Sequence, residues 1–187
     1  MTLEINKELT AKLFDTEGLS FKELLCLERT PWHWLDELEA FVEKNGVSDL
    51  GPDVFVEGRV FVGKGTIIRK GACLRGPVVI GERCVIGHHV EIVRSLIFDE
   101  AKIPHLNYVG DTIVGSRVNM GAGSICANMR FDKGEIFVGN VNTQRRKLGA
   151  LIGDDASIGC NAVLNPGTIV LPRKIVMPCK NVGGIIQ

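Results

Sequence analysis

The chain has 187 residues, and its 22 basic and 22 acidic side chains give a formal net charge of zero at pH 7. This balance leaves no global field that would attract nucleic acid or an anionic membrane, so we expect neither as a partner. No apolar run approaches the ~20 residues that span a bilayer, and residues 1–8 lack the basic start and apolar block of a signal peptide. These features predict a cytoplasmic protein.

Metal and disulfide chemistry are not expected. The six cysteines include no C-x-x-C pair, whereas structural zinc sites use closely spaced pairs and disulfide frameworks are typical of short secreted chains. His88 and His89 are adjacent, so on a strand they would point to opposite faces and could not both join His105 at one ion. We therefore expect no metal, and we expect most of the cysteines to be small buried hydrophobic residues.

Residues 1–50 are predicted to form a helical segment that packs on, or caps, the next domain. Residues 20–23 (Ser-Phe-Lys-Glu) fit a capping box at a helix start. Thr30 and Pro31 predict the start of a second helix, because threonine caps helices and proline suits the first helical position. An apolar stripe with a spacing of three or four residues follows, and Gly46 is the predicted end of this helix.

The pattern changes after Gly51 and Pro52. From there an aliphatic or similar residue recurs every six positions, with two five-residue steps. A period of six fits neither a helix nor an alternating strand. The repeated positions are Val56, Val62, Ile68, Leu74, Ile80, Ile86, Ile92, Ile97, Ile103, Val109, Val114, Met120 and Cys126, followed by Ile152, Ile158, Leu164, Val170 and Val176.

This period predicts an all-β fold over residues 51–187, a parallel β-helix of hexapeptide repeats. The repeated residue would point into a narrow shaft, with three six-residue sides to a turn. About eighteen repeats give about six turns, which stack at ~4.8 Å to a height of ~29 Å. Residues 129–150 have no six-residue phase and are predicted to leave the helix as an excursion loop, while residues 182–187 are expected to cover the top turn.

Three motifs make the sequence more specific than its repeat. Residues 103–111 (Ile-Pro-His-Leu-Asn-Tyr-Val-Gly-Asp), 118–123 (Val-Asn-Met-Gly-Ala-Gly) and 127–132 (Ala-Asn-Met-Arg-Phe-Asp) resemble the acetyltransferase half of bifunctional N-acetylglucosamine-1-phosphate uridylyltransferase/glucosamine-1-phosphate acetyltransferases. The similarity is greatest to the archaeal-type sugar-1-phosphate nucleotidyltransferase/acetyltransferases and covers roughly residues 52–180. It implies a left-handed β-helix, a homotrimer with sites in the clefts between chains, and acetyl-CoA as co-substrate.

The resemblance also implies roles for individual residues. The family's histidine matches His105, which would act as general base while the amine of an amino-sugar 1-phosphate attacks the thioester. The backbone of residues 121–123 is the candidate donor to the oxyanion. Tyr108, Asn119 and Asn128 match residues that hold the sugar.

Further matches concern the phosphate and coenzyme A. Arg75 matches an arginine that grips the phosphate, Glu91 an acid near the sugar, and Lys147 a basic contact near the site. Ala122 and Cys160 match positions along the coenzyme A arm, where small residues leave room for pantetheine. Arg146, in the same basic run as Lys147, is predicted to contact the cofactor; the alternative is a solvated basic loop.

Two departures from the family leave alternatives open. Val93 stands where the family has a lysine that helps to grip the phosphate, with Arg94 next to it, which implies a weaker phosphate grip. No Gly-rich phosphate loop opens the chain, so nucleotidyl transfer has no sequence support. The hypotheses are acetyl transfer to an amino-sugar 1-phosphate in UDP-N-acetylglucosamine biosynthesis, acyl transfer to another amine such as a nucleotide-linked amino sugar, and a non-catalytic sugar-nucleotide-binding or assembly module.

Overall fold

The computed structural model describes residues 8–46 and 48–187. The predictions for the N-terminal segment that fall on residues 1–7 and 47 lie outside the described residues. Before the β-helix the chain forms helix α1 (Glu8–Leu13), two 3-10 turns (Lys22–Leu24 and Pro31–His33) and helix α2 (Trp34–Asn45).

The helix predicted after Thr30 is confirmed, but Thr30 makes no side-chain capping hydrogen bond, because its hydroxyl bonds to His33 Nδ1. Pro31 opens a 3-10 turn that leads into α2, and the helix ends at Gly46, whose φ of 89° lies in the left-handed region that favours glycine. The capping box predicted at residues 20–23 is wrong, because Phe21 precedes a single 3-10 turn without a side-chain cap. Phe21 is fully buried, so its packing in the core outweighs the local capping preference.

Twenty-two short strands follow. They are β1 Phe55–Glu57, β2 Val60–Val62, β3 Ile67–Ile68, β4 Cys73–Arg75, β5 Val78–Ile80, β6 Val85–His88, β7 Glu91–Val93, β8 Leu96–Ile97, β9 Lys102–His105, β10 Tyr108–Gly110, β11 Ile113–Val114, β12 Asn119–Met120, β13 Ile125–Cys126, β14 Phe137–Val138, β15 Val141–Asn142, β16 Leu151–Ile152, β17 Ser157–Ile158, β18 Val163–Leu164, β19 Ile169–Val170, β20 Ile175–Val176, β21 Asn181–Val182 and β22 Ile185–Ile186.

Twenty of these strands form the three parallel sides of a β-helix, so the predicted fold is confirmed. Side A stacks β1, β4, β7, β10, β13, β18 and β21; side B stacks β2, β5, β8, β11, β16, β19 and β22; side C stacks β3, β6, β9, β12, β17 and β20. The predicted aliphatic positions pair with one another in register, as Val109 does with Ile92 and Cys126. They fill one buried shaft. There are about seven turns rather than six, because the C-terminal residues add β21 and β22.

The chain leaves the β-helix once within the described residues, between β13 and β16. There it forms an antiparallel hairpin of β14 and β15. Ile136, Val138 and Leu148 of this excursion are buried against the N-terminal segment. Arg145 forms an ion pair with Asp36 of α2, so part of the basic run holds the excursion in place.

The N-terminal segment covers the outer face of side B. Its apolar residues share one hydrophobic cluster with Leu96, Phe98 and Ile113 of that side. The Asp154 carboxylate accepts 2.7 Å hydrogen bonds from the backbone N–H groups of Asp15 and Ser116, which ties the segment to two turns. Burial raises the pKa of Asp154 above its usual value. The division into residues 1–50 and 51–187 stays a prediction.

The cysteine prediction is wrong. All six are free, and only Cys84 and Cys126 are buried, whereas Cys26, Cys160 and Cys179 are exposed. The exposed cysteines lie outside the repeated inward positions that the six-residue period identifies. Among residues 8–46 and 48–187, no helix combines the length and apolarity needed to cross a membrane.

Candidate functional site

Three of the predicted site residues stack in one column at the corner between sides C and A. Backbone hydrogen bonds connect the three turns at this corner. The N–H of Gly123, the residue after Ala122, donates to the His105 carbonyl at 3.0 Å, and the N–H of Asn161, the residue after Cys160, donates to the Ala122 carbonyl at 2.9 Å. This ladder places His105, Ala122 and Cys160 at equivalent positions of consecutive turns, about 4.8 Å apart per turn. His105 and Cys160 are exposed and Ala122 is half-buried.

The wall around this column carries few side-chain atoms. A Cβ on Gly121 would lie 2.5 Å from the backbone nitrogen of Cys160, so only glycine fits between these two turns. Above the imidazole of His105 the corner therefore presents a methyl group, a thiol and backbone. Such a strip leaves room for an extended chain to lie along the β-helix axis.

The turn above His105 also presents a backbone donor. Gly121 N–H donates to the Ile158 carbonyl at 2.6 Å, and Gly123 N–H donates to the His105 carbonyl. Among the described residues, the N–H of Ala122 has no backbone or side-chain acceptor. An N–H fixed in this way can stabilise an oxyanion without further reorganisation.

A second group of predicted residues gathers on side A. The side chain of Tyr108 crosses Gly110 toward Asn128, and a Cβ on Gly110 would lie 2.7 Å from the Tyr108 hydroxyl and 2.6 Å from Asn128 Nδ2. The glycine is therefore required for the two polar groups to meet. Glu91 lies one turn below Tyr108, and Arg75 lies two turns below it. Arg75 Nη1 donates to Glu91 at 3.0 Å, and Arg75 Nε donates to Glu57 at 3.1 Å.

The electrostatics of this group keep Tyr108 protonated. Burial is the main cause that raises the pKa of Tyr108 above its usual value, and the charges of Glu91 and Asp111 add to it. The Asn128 side chain and the nearby Arg94 partly offset the shift. The neutral phenol can therefore act as a hydrogen-bond donor at neutral pH.

Sequence reasoning missed the residue at the centre of this group, Asp111. Its carboxylate accepts two parallel hydrogen bonds from Arg94, at 2.8 Å each, and one from Asn128. The hydrogen bonds from Arg94 are also the main cause that raises the pKa of that arginine. Val93 is buried one residue before Arg94, so the charge absent at position 93 is present at position 94. The sequence does contain a signal for this pair. Arg94 and Asp111 each stand two residues after the inward residue, Ile92 or Val109, that begins a five-residue step.

The other predicted residues lie in different directions. Asn119 points outward from side C, in register with Lys102 and Ser157, beside a cavity of about 330 Å³. Lys147 is exposed and lies close to Asn128, because the next residue donates its N–H to the Asn128 carbonyl at 3.0 Å. Arg146 is exposed in the same stretch, on the opposite edge of side A from Cys160.

The candidate residues of one chain therefore form two groups. The corner group is His105, Ala122 and Cys160, with Asn119 on the adjoining side C; the side-A group is Arg75, Glu91, Tyr108, Asn128 and Lys147. The sides of a triangular prism face in diverging directions, so the side chains of Asn119 and Tyr108 of one chain point apart. No cluster of three or more possible metal ligands occurs within residues 8–46 and 48–187.

These features define the class of the protein as a hexapeptide-repeat β-helix, and comparison with known proteins gives its family. Residues 56–185 match the family described as the GMPPB C-terminal domain. The match covers more than half of the chain, and the protein belongs to this family.

Relatives with curated names extend the comparison. The bifunctional sugar-1-phosphate nucleotidylyltransferase/acetyltransferase of Sulfurisphaera tokodaii is 40% identical over 73% of this chain and 41% of its own length. The bifunctional protein GlmU of Methanocaldococcus jannaschii is 30% identical over 75% of this chain and 40% of its own length. The chain thus spans about two fifths of these relatives. A hexapeptide transferase family protein from Anaplasma phagocytophilum superposes with a TM-score of 0.45 at 18% identity, covering 72% of each chain.

Proposed function

We propose that the chain is an acetyl-CoA-dependent N-acetyltransferase that acts on an amino-sugar 1-phosphate of the glucosamine 1-phosphate kind. The observation that carries this proposal is the column at the corner of sides C and A, where an exposed imidazole lies one turn below a free backbone N–H and a bare wall. The names of the relatives from Sulfurisphaera and Methanocaldococcus, which include acetyl transfer in the first case, support it.

The column can perform each step of acyl transfer. The neutral amine of the acceptor attacks the thioester carbonyl, and His105 takes the proton that the nitrogen loses. The Ala122 N–H stabilises the oxyanion of the tetrahedral intermediate. When the intermediate collapses, the carbon–sulfur bond breaks, the coenzyme A sulfur receives the proton from His105, and an amide remains.

The side-A group suits the acceptor. The neutral phenol of Tyr108 and the amide of Asn128 offer hydrogen bonds to sugar hydroxyls. Arg75 and Arg94 lie on the same part of the β-helix, and each is already bound to carboxylates. A phosphate at this end would therefore share these arginines with Glu91 and Asp111, and Lys147 would add an exposed positive charge.

Two copies of the chain are needed to complete the site. Asn119 and Tyr108 face apart in one chain, and Arg146 lies across side A from the column, so the corner group of one chain must meet the side-A group of another. We propose a cytoplasmic homotrimer in which each cleft between neighbours holds one acetyl-CoA beside Ala122 and Cys160. Arg146 would reach the cofactor from the neighbouring chain. No metal has a role in this chemistry.

A second candidate is a non-catalytic module that binds sugar nucleotides or assists assembly. The paired arginines of side A favour the assembly role, because a site whose positive charges are already neutralised attracts a phosphate only weakly.

Release of coenzyme A distinguishes the two candidates. The protein is mixed with acetyl-CoA and glucosamine 1-phosphate, and free thiol is measured; a nucleotide-linked amino sugar is the parallel acceptor. We expect thiol release that depends on the acceptor and is lost in His105→Gln, with acetyl-CoA binding retained in that variant by calorimetry. Binding of acetyl-CoA without release for any amino sugar would favour the non-catalytic module, and absence of binding would contradict the proposal.

A further inference from the structure

One buried side chain of the β-helix shaft is an amide. Asn107 lies directly before β10 and is 2% exposed. In the neighbouring turns the equivalent position, the residue before each paired strand of side A, is occupied by small or apolar residues. These residues are Ala72, Val90, Ser124 and Ala162, all of them fully buried.

The Asn107 side chain bonds to both parts of the corner group. Its Oδ1 accepts the backbone N–H of His105 at 3.0 Å. Its Nδ2 donates to the Gly121 carbonyl at 2.7 Å and to Ser124 Oγ at 2.8 Å. The Asn107 side chain thus connects His105 with Gly121 and Ser124, which lie at the two ends of the turn that carries Ala122.

The fold alone does not require this amide. The same corner is built at Val90 and at Ala162 without any polar group in the shaft. An amide in an apolar interior costs free energy unless it is hydrogen-bonded, and here its hydrogen bonds all go to the two turns of the candidate site. The reason for the amide is therefore local to His105 and Ala122.

We infer that Asn107 is a positioning residue that fixes the His105 turn against the turn of residues 121–124. It acts together with the hydrogen bond from Gly123 N–H to the His105 carbonyl. The two contacts set how far the imidazole lies from the Ala122 N–H. This role rests on the proposed function, because the distance matters only if one group removes a proton while the other stabilises the oxyanion.

The chemistry gives this distance its importance. A base and an oxyanion donor act on atoms of the same tetrahedral intermediate, so a displacement of about 1 Å can reduce the rate by about 100-fold. His105 and the residue after it, Leu106, are both exposed, so packing around their side chains does little to hold this corner. A buried hydrogen-bond anchor on its backbone supplies the missing constraint.

The test uses a pair of variants with nearly equal shape. Asn107→Val places in the shaft the residue that the preceding turn already carries, and it removes every hydrogen bond of the Asn107 side chain. Asn107→Thr has the same shape as valine but restores one hydroxyl. Val118→Ala is the control, since Val118 is a fully buried shaft residue at a different corner and its truncation lowers stability without removing any hydrogen bond of Asn107.

We expect Asn107→Val to fold with a cooperative melt and to lose about 10- to 100-fold in kcat with a nearly unchanged KM for acetyl-CoA. Asn107→Thr should recover part of this loss, and Val118→Ala should keep the wild-type kcat while melting earlier. A kcat for Asn107→Val within twofold of the wild type would overturn the inference.

A second measurement does not depend on activity. The ring protons of the four histidines are followed by NMR, with the His105 signal assigned from His105→Gln. In Asn107→Val we expect the His105 signal to shift or broaden while the His33 signal stays in place, and we expect faster exchange of the His105 amide. If the wild type transfers no acetyl group, the proposed function fails; an unchanged His105 signal in Asn107→Val would in that case also overturn the positioning role.

Discussion

The ion pair between Arg94 and Asp111 provides a quantitative test of how side A is held together. The pair joins two consecutive turns at the corner between sides A and B, through two parallel 2.8 Å hydrogen bonds. Both residues have a positive φ, 41° and 44°. The perturbation is a double-mutant cycle of Arg94→Gln, Asp111→Asn and the double variant.

Burial decides the expected coupling energy. Exposed ion pairs contribute about 0.2–1 kcal/mol, whereas removal of one partner from a buried pair costs about 3–5 kcal/mol. Here the Asp111 side chain is 8% exposed and the Arg94 side chain is 36% exposed, so solvent screens one partner only. We expect a coupling of about 1–2 kcal/mol between these limits, and a single-variant cost of about 2 kcal/mol for Asp111→Asn, because the uncharged amide is a weaker acceptor for both Arg94 and Asn128.

The chain contains a matched control for this cycle. Arg117 and Asp155 form the same two-bond fork between consecutive turns, at 2.7 and 2.9 Å, and their φ values are 58° and 60°. Their side chains are 48% and 39% exposed. The two ion pairs have similar geometry and backbone conformation, so the two cycles differ mainly in the burial of the side chains. We expect a coupling energy of about 0.2–1 kcal/mol between Arg117 and Asp155.

Both cycles are measured by urea unfolding at equal chain concentration, at low and at high salt. The exposed pair should lose most of its coupling in high salt, whereas the pair on side A should keep most of it. The reasoning is refuted if the exposed pair couples as strongly as Arg94 and Asp111, or if the coupling on side A is below about 0.5 kcal/mol. Under the proposed function Asp111→Asn should also raise the KM for the acceptor, because the hydrogen bond that anchors Asn128 becomes weaker.

Three further predictions concern the column and the contact between the N-terminal segment and the β-helix. Ala122→Phe fills the strip above the imidazole, so calorimetry should show at least about a tenfold weaker affinity for acetyl-CoA, or about 1.4 kcal/mol; unchanged affinity would place the cofactor elsewhere. Iodoacetamide should modify Cys160 more slowly when acetyl-CoA is present and Cys26 at an unchanged rate, while Cys126, whose pKa burial raises to about 12, stays unmodified in the native protein. The raised pKa of Asp154 means that its carboxyl group binds a proton more tightly in the folded state than in the unfolded state. The stability that the protonated Asp154 contributes is therefore present in acid and is lost as the pH rises through the pKa of Asp154 in the folded state. The difference in unfolding free energy between the wild type and Asp154→Asn should accordingly shrink over that rise, and a difference that grows would contradict the assigned direction.

The fold could be predicted because the six-residue period is a property of single positions. Each repeated residue, such as Ile92 or Leu164, points into the shaft regardless of what surrounds it, so a one-dimensional pattern specifies a three-dimensional stack. The capping box at residues 20–23 failed for the opposite reason. Phe21 is buried against side B, and contacts with distant residues cannot be read from a local motif.

The candidate site was only partly predictable. His105, Ala122 and Cys160 fall at the same step of the repeat, so counting positions along the chain is enough to place them in one column. The contact of Tyr108 with Asn128 and Asp111 could not be predicted, because it depends on how a long side chain crosses the glycine between them. The period also gives no direction for Asn119, whose separation from Tyr108 follows from the closed three-sided section of the β-helix.

Departures from the repeat identify function better than the repeat does. A shaft of aliphatic residues is what any β-helix needs, and so Val90 and Ala162 are explained by the fold alone. Asn107 costs free energy unless both turns at the corner supply it with partners, and the shortened steps at Arg94 and Asp111 carry an ion pair whose carboxylate is buried. All three departures lie within two turns of His105. The stacking of repeats does not require these departures to lie close together. A site that holds a base, an oxyanion donor and the acceptor molecule in a fixed arrangement does require it.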